Sequence, residues 1–166
     1  MVTIRRIRQG EGSRLREVRV RALRTDPDAF AASHDQASAR DDQVWEEMAV
    51  AGSTGEEEII LVAEGDDGLV GMVGAFTRAD EPNTRHLYGM WVAPEARSSG
   101  LGQRFVDAVR EWSIETGADE VKLWVVESNL PARTLYEKVG FVRTGESQPL
   151  ASNPTLTDVR MRLALT

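Results

Sequence analysis

The sequence predicts a mixed α/β (mixed α+β) layered fold. Three observations carry this. Short β-prone runs recur along the chain, stretches with apolar residues at helical spacing separate several of them, and Gly- or Pro-rich turns punctuate both. The expected organisation is one domain over residues 1–166, a length that buries about 70% of the surface an unfolded chain exposes.

Residues 2–8 alternate and read as a first strand, with Val2, Ile4 and Ile7 inward. Residues 11–24 read as a helix whose inner face carries Leu15, Val18 and Ala22, with Arg14, Arg16, Arg19, Arg21 and Arg24 on the solvated faces. Thr25-Asp26-Pro27 breaks it, and Asp26 or Pro27 starts a short second helix. Residues 40–50 place Val44, Trp45 and Met48 at helical spacing, followed by a loop at 51–55. Ile59 to Glu64 and Leu69 to Thr77 read as a hairpin turned at residues 65–68, with Gly71 and Gly74 signalling a bulge or close packing. A polar turn is expected at 78–84 and a strand at 86–92. A helix over 100–117, ended by Gly117, follows. The rest reads as a strand (121–126), a helix (130–139), a strand (141–144), a loop (145–154) and a final strand (156–165).

The net charge is −7, unevenly spread: residues 1–25 carry +6, residues 26–58 carry −9, and the remainder −4. An acidic chain without a basic stripe argues against nucleic-acid binding. There is no cysteine, which excludes disulfides, thiolate metal sites and a cysteine nucleophile. His34 and His86 lie far apart, so no histidine-based metal site is expected; carboxylate sites stay open, and no metal residue is assigned. No apolar run is long enough for a membrane span, and the first residues lack the apolar core of a signal peptide. The expected localisation is therefore cytoplasmic.

The chemistry-bearing segment is residues 97–102, Arg-Ser-Ser-Gly-Leu-Gly, between the strand 86–92 and the helix that starts at 100. Glycines at a helix mouth let backbone N–H groups converge on one point, and the first N–H groups of a helix have no internal partners. With the positive end of the helix dipole, such a loop suits a diphosphate. It lacks the Gly-Lys-Ser/Thr of a nucleotide P-loop. A second element follows the strand 121–126: Asn129-Leu-Pro-Ala132-Arg-Thr-Leu135-Tyr136-Glu-Lys-Val-Gly140-Phe141.

Together these elements resemble the Gcn5-related N-acetyltransferase family. Residues 97–102 match its Arg/Gln-x-x-Gly-x-Gly/Ala loop, and residues 129–141 match its Asn-x-x-Ala-x-x-Leu-Tyr-x-x-x-Gly-Phe signature. The specific match spans about residues 86–145, with a looser likeness over 10–30. The resemblance implies an acyl-CoA N-acyltransferase fold: a central mixed, mostly antiparallel sheet of about seven strands with about four helices. Strands 86–92 and 121–126 would be parallel and splayed, with acyl-CoA in the slot. It implies acetyl transfer from acetyl-CoA to a primary amine of a small molecule or peptide. A homodimer through the last strands is also consistent with it.

On that reading the backbone of Met90, Trp91 and Val92 pairs with the pantetheine arm. The N–H groups of Ser98, Ser99, Gly100, Leu101, Gly102 and Gln103 hold the diphosphate, with Arg97 or Arg104 adding a charge-assisted bond. Asn129 bonds a pantetheine amide and caps the helix after it. Tyr136, protonated at neutral pH, is the expected proton donor to the leaving thiolate. No carboxylate lies on 86–92; His86, Glu64 and Glu127 are the candidate bases, and a base acting through ordered water or an amine that arrives neutral would also serve. Asp35, Asp41, Asp42, Glu46 and Glu47 are candidates for attracting a cationic amine. The competing expectation is a non-catalytic acyl-CoA-binding sensor or partner domain.

Overall fold

The computed structural model describes residues 1–165. Its strands are β1 (Thr3–Arg6), β2 (Glu58–Gly65), β3 (Gly68–Arg78), β4 (Glu81–Val92), β5 (Glu120–Val126), β6 (Val142–Leu150) and β7 (Asn153–Ala164). Its helices are α1 (Gly12–Thr25), α2 (His34–Ser38), α3 (Asp42–Ser53), α4 (Leu101–Glu115) and α5 (Leu130–Val139). The seven strands form one sheet in the order β1-β2-β3-β4-β5-β7-β6, antiparallel throughout except for β4 beside β5. Among the described residues no helix is long and apolar enough to cross a membrane.

Alternation along the strands builds two cores, one on each face. Leu61, Val73, Leu87, Val121, Leu123 and Met161 point towards α4 and α5, where Phe105, Val109, Trp112 and Tyr136 meet them. Ile60, Val62, Met72 and Trp91 point the other way, onto Leu15, Val18 and Leu23 of α1 and Trp45 and Ala49 of α3. Helical spacing in α1, α3 and α4 supplies one apolar stripe per helix, which is why each covers one face of the sheet.

The parallel pair is short. Thr84, Arg85 and His86 lie opposite Glu120, Val121 and Lys122, and beyond that point β4 and β5 separate. Their remaining lengths, to Val92 and Val126, flank an open wedge. A bulge sits on the β4 side of it. Met72 pairs with Trp91 and Gly74 with Tyr88, so Gly89 and Met90 together oppose Val73. Gly89 takes φ +62°, the left-handed region that a glycine accepts without strain. That bulge lies on β4, and β3 carries one of its own beside Gly71: Ala63 pairs with Gly71 and Glu64 with Leu69, so Val70 is the extra residue. Gly74 on β3 serves close packing instead: a Cβ there would stand 2.3 Å from the ring of Tyr88.

Three expectations need correction. The polar turn at 78–84 shrinks to residues 79–80, because β3 and β4 run on past the core as a solvated hairpin. The loop at 145–154 is mostly strand: β6 and β7 pair along their length and turn at 151–152. Both segments are held by backbone bonds while most of their side chains, Thr84 and Leu150 apart, face water, so apolar alternation is silent there. The helix α2 was missed, although Ser33 and Gln36 form a capping box at its start.

The start of α1 is fixed by charge. The Glu11 carboxylate accepts from Arg5 (2.8 Å), Arg14 (2.7 Å) and the Arg8 backbone N–H (2.8 Å). These donors, Arg5 foremost, hold its pKa down at about 2, against an ordinary 4.5. A depressed carboxylate adds stability above its unfolded pKa and loses it as the pH falls through the folded one. Glu11→Gln is therefore expected to melt below wild type at neutral pH, with the gap closing from pH 4.5 towards pH 2. A gap independent of pH would show that ion pairing is not its source.

Candidate active site

The wedge opens into a cleft of about 560 Å³, within the range of small-molecule sites. Of the residues singled out from the sequence, Met90, Trp91, Val92, Arg97, Ser98, Leu101, Gly102 and Asn129 line it. A second cavity of about 400 Å³ adjoins it, sharing Asp26, Ala29 and Asn129 and adding Asp28, Val126 and Leu156. Asp26, Asp28 and Phe30 were not singled out as site residues, yet all three line these cavities. They come from the turn after α1, where Pro27 stops the helix and swings the chain over the wedge. Ser152, at the tip of the β6–β7 hairpin, donates to the Phe30 carbonyl. Asn153 meets Asp28 at 3.3 Å, so the hairpin closes over this turn.

Asp26 ties the two walls together. One of its oxygens accepts from Trp91 Nε1 on β4 and from the Arg97 guanidinium, both at 2.7 Å. Arg97 also donates through Nε to the Val92 carbonyl at 2.9 Å. The donors of Arg97 are thus turned towards the base of the loop, and one of the strand's free carbonyls is occupied by its side chain.

The loop at the mouth of α4 has the conformation its glycines suggest. Ser98 (φ +66°) and Gly100 (φ +79°) are left-handed, and Ser98 is the one non-glycine residue with positive φ among those described. Such a residue costs about 1–2 kcal/mol. Here Ser99 Oγ donating to the Ala96 carbonyl (2.6 Å) and the buried Leu101 hold the turn around it. Gly100 is the N-cap of α4 and no side chain caps the helix. The first amides of α4 are therefore open to an anion. Ser99, Gly100 and Gln103 belong to this turn without lining the cleft itself.

Across the wedge, Asn129 accepts from Ala132 N–H at 3.3 Å and caps α5. Tyr136 is buried in the α5 face of the core, its ring edge-on to Phe141 at 5.6 Å. Its hydroxyl reaches Met90 Sδ at 3.9 Å, a soft and weak acceptor at the cleft wall. Burial pushes the phenol well above its ordinary value. A proton donor with no strong acceptor thus stands just behind the cleft.

The candidate bases lie elsewhere. Glu64 is bound by Arg5 and Arg14 on β2, and Glu127 by Arg143 at 2.8 Å. His86 is buried at the closed end of the wedge, stacked on Phe76 with Nε2 3.4 Å from Glu81. Desolvation lowers its pKa. None of the three lines either cavity.

Comparisons with known proteins bear on this arrangement. The family model described as "Acetyltransferase (GNAT) family" matches residues 19–141, most of the chain, including both loops that flank the wedge. The chain belongs to the GNAT acetyltransferase family. Human N-acetyltransferase 8 is 36% identical over 90 residues, which cover 52% of this chain and 39% of that protein. The chain thus spans well under two thirds of the length of that relative. Among solved structures, a GNAT acetyltransferase from Streptococcus pneumoniae has a TM-score of 0.84 at 20% identity, covering 100% of both chains. PaiA N-acetyltransferase from Thermoplasma acidophilum in complex with coenzyme A has a TM-score of 0.77 at 18% identity, covering 99% of each. At these identities the likeness is one of fold.

The cosubstrate of the GNAT family is acetyl-CoA. The residues here fit it: a cleft of suitable volume, an uncapped helix mouth, and strands that leave backbone groups free along the wedge. The acidic run is a different matter. Glu46 caps the start of α1 by accepting from Gly10 (2.7 Å) and Gly12 (2.9 Å). Asp35, Asp41, Asp42 and Glu47 line neither cavity, and the carboxylates that do are Asp26 and Asp28.

Proposed function

We propose that residues 1–166 act as an N-acetyltransferase domain that moves the acetyl group of acetyl-CoA directly to a primary amine of a small molecule or peptide. The observation that carries this reading is the β4–β5 wedge, with an uncapped helix mouth at its rim and the Tyr136 hydroxyl behind its wall.

Acetyl-CoA supplies an activated acyl group as a thioester. The amides from Ser98 to Gln103 bind its diphosphate. Each contributes a directed N–H bond, and the helix end adds about 0.3–1 kcal/mol of charge stabilisation when exposed. The backbone of Met90, Trp91 and Val92 takes the place of a missing strand partner and pairs with the amide-rich pantetheine arm. Asn129 caps α5 through its carbonyl, which leaves its amide hydrogens free to donate. Arg97, held by Asp26, fixes the loop in register with the wedge. The amine attacks in its neutral form, Tyr136 gives its proton to the departing thiolate, in the direction its hydroxyl already points towards a sulfur, and the proton shed by the nitrogen as the amide forms restores the phenol by way of solvent. With no cysteine in the chain, no acyl-thiol relay intervenes. The acceptor enters through the second cavity, beneath the hairpin that touches Phe30 and Asp28.

The test is CoA release, followed by a thiol reagent, across a broad panel of primary amines. Amine-dependent release is expected. Binding of acetyl-CoA without release for any amine would favour the sensor reading instead.

A further inference from the structure

Most partly buried arginines of this chain have partners. Arg5 and Arg14 share Glu11 and Glu64, Arg21 meets Glu95, and Arg97 meets Asp26. Arg85 donates to the carbonyls of Pro82 and Thr116. Arg19 is different. Among the described residues it makes no hydrogen bond and no ion pair, and its NH1 is buried without a partner. The titratable groups that bear on it are Tyr88 and Arg40, neither of them an anion at neutral pH. Its guanidinium lies over the ring of Phe30, 4.8 Å from the centroid, and NH1 stands 3.1 Å from where a Cβ on Gly89 would be. Phe30 lines the cleft, and Gly89 is the bulge residue next to Met90, which also lines it. The ring offsets part of the cost of burying this cation but accepts none of its N–H groups in the plane. An unpaired buried charge is expensive, and a site that tolerates one is completed by a counter-ion.

A second arginine repeats the pattern on the same face. Val159 and Met161 point into the α4–α5 core, so Arg160 between them faces the opposite side of the sheet, with Trp124. Arg160 lies over Trp124 at 5.0 Å, its Nε is buried without a partner, and its NH2 reaches only the imidazole of His86, at 3.4 Å. Tyr88, Phe76, His86 and Arg160 form a continuous aromatic and cationic band across this face, and Arg19 stands within electrostatic range of its Tyr88 end. Among the described residues no carboxylate pairs with either arginine.

From this band we infer that the acceptor is an amine that also carries a carboxylate, with Arg19, which stands behind the cleft residue Phe30 and beside the bulge at Gly89, as its recognition residue. The inference rests on the transferase reading above and narrows its substrate class. A guanidinium grips a carboxylate through two parallel N–H bonds; NH1 of Arg19 is buried, and its Nε and NH2 make no hydrogen bond among the described residues, so that edge is the one a carboxylate would take. An amino acid places its amine two bonds from the carboxylate, so an acceptor anchored at Arg19 holds its nitrogen close to Met90.

The experiment uses two matched sets of acceptors: L-phenylalanine, L-phenylalaninamide and 2-phenylethylamine, and L-leucine, L-leucinamide and 3-methylbutylamine. Each is assayed for CoA release with wild type, Arg19→Met and Arg19→Lys. Comparing each acceptor across the variants cancels differences in amine basicity. Arg19→Met is expected to lower kcat/KM for the two amino acids by about 10- to 100-fold, the range for a lost hydrogen bond to a charged group. The amides and plain amines are expected to change less than about threefold, and Arg19→Lys to recover part of the loss. Because Arg19 has no partner to orphan, melting temperature and KM for acetyl-CoA should hold, which separates recognition from folding. An equal fall for all three members of a set would overturn the inference. So would turnover of plain amines but not amino acids, which leaves the transferase reading intact. No release with any amine overturns that reading and this inference together. A readout without turnover is calorimetric binding of N-acetyl-L-phenylalanine to the CoA-loaded protein, which is expected to weaken at least tenfold in Arg19→Met; unchanged binding would overturn the site.

Discussion

Tyr136→Phe is expected to lower kcat by about 10²–10⁴-fold, the usual contribution of a positioned general acid, while KM for acetyl-CoA changes little. The substitution removes one oxygen from a hydroxyl whose present partner is the Met90 sulfur at 3.9 Å. The ring keeps its edge-on contact with Phe141, so the fold should lose no more than about 1 kcal/mol, the scale of one net hydrogen bond. Loss of turnover without loss of stability is the signature of a proton donor. The pH dependence has a definite sign. Burial raises the phenol above its ordinary value near 10, so the donor form persists throughout the alkaline range in which the protein is handled. Tyr136 should therefore impose no alkaline fall in kcat below about pH 10. A kcat within severalfold of wild type in Tyr136→Phe would place the proton donor elsewhere.

Gly102→Glu is expected to raise KM for acetyl-CoA by about 100-fold. Gly102 is the second residue of α4 and lines the cleft. A Cβ there would meet only the end of the Leu135 side chain, at 3.0 Å, so the backbone can carry a larger residue. Glutamate is a better helix former than glycine by up to about 0.8 kcal/mol, which argues against unfolding. The new carboxylate lies among the open amides of the helix mouth. One unit charge about 5–6 Å from a phosphate at an effective dielectric near 20 costs about 3 kcal/mol, or about two powers of ten. Gly102→Gln has the same bulk without the charge and should raise KM far less. Equal effects of Glu and Gln would assign the loss to steric blockage, and no effect of either would move the diphosphate away from this loop.

The wedge was legible in the sequence because its parts carry local signals: a β-prone run, a Gly-rich turn, a helix, a second run and an Asn-capped helix, in that order. The open end of the slot follows from β4 and β5 pairing over three residues only, a three-dimensional fact that no periodicity records. The acceptor side was much less legible. Its walls come from the turn after α1 and from the β6–β7 hairpin, segments without an apolar period. The arginines of α1 read alike along the sequence as a solvated face. Only the fold separates Arg14, with its carboxylates, and Arg21, with Glu95, from Arg19, half-buried and without an anion among the described residues. The bulge at Gly89 was likewise hidden, because the glycines that drew notice, Gly71 and Gly74, lie on the neighbouring strand, where they make room for Trp91 and Tyr88.

The central claim is that the wedge between β4 and β5 holds acetyl-CoA with its diphosphate on the amides of residues 98–103. Isothermal titration of acetyl-CoA into the folded chain tests it most directly. Saturable binding at one site per chain is expected, accompanied by a higher melting temperature at excess acetyl-CoA. A well-folded sample that gives neither heat nor thermal stabilisation at millimolar acetyl-CoA would contradict it.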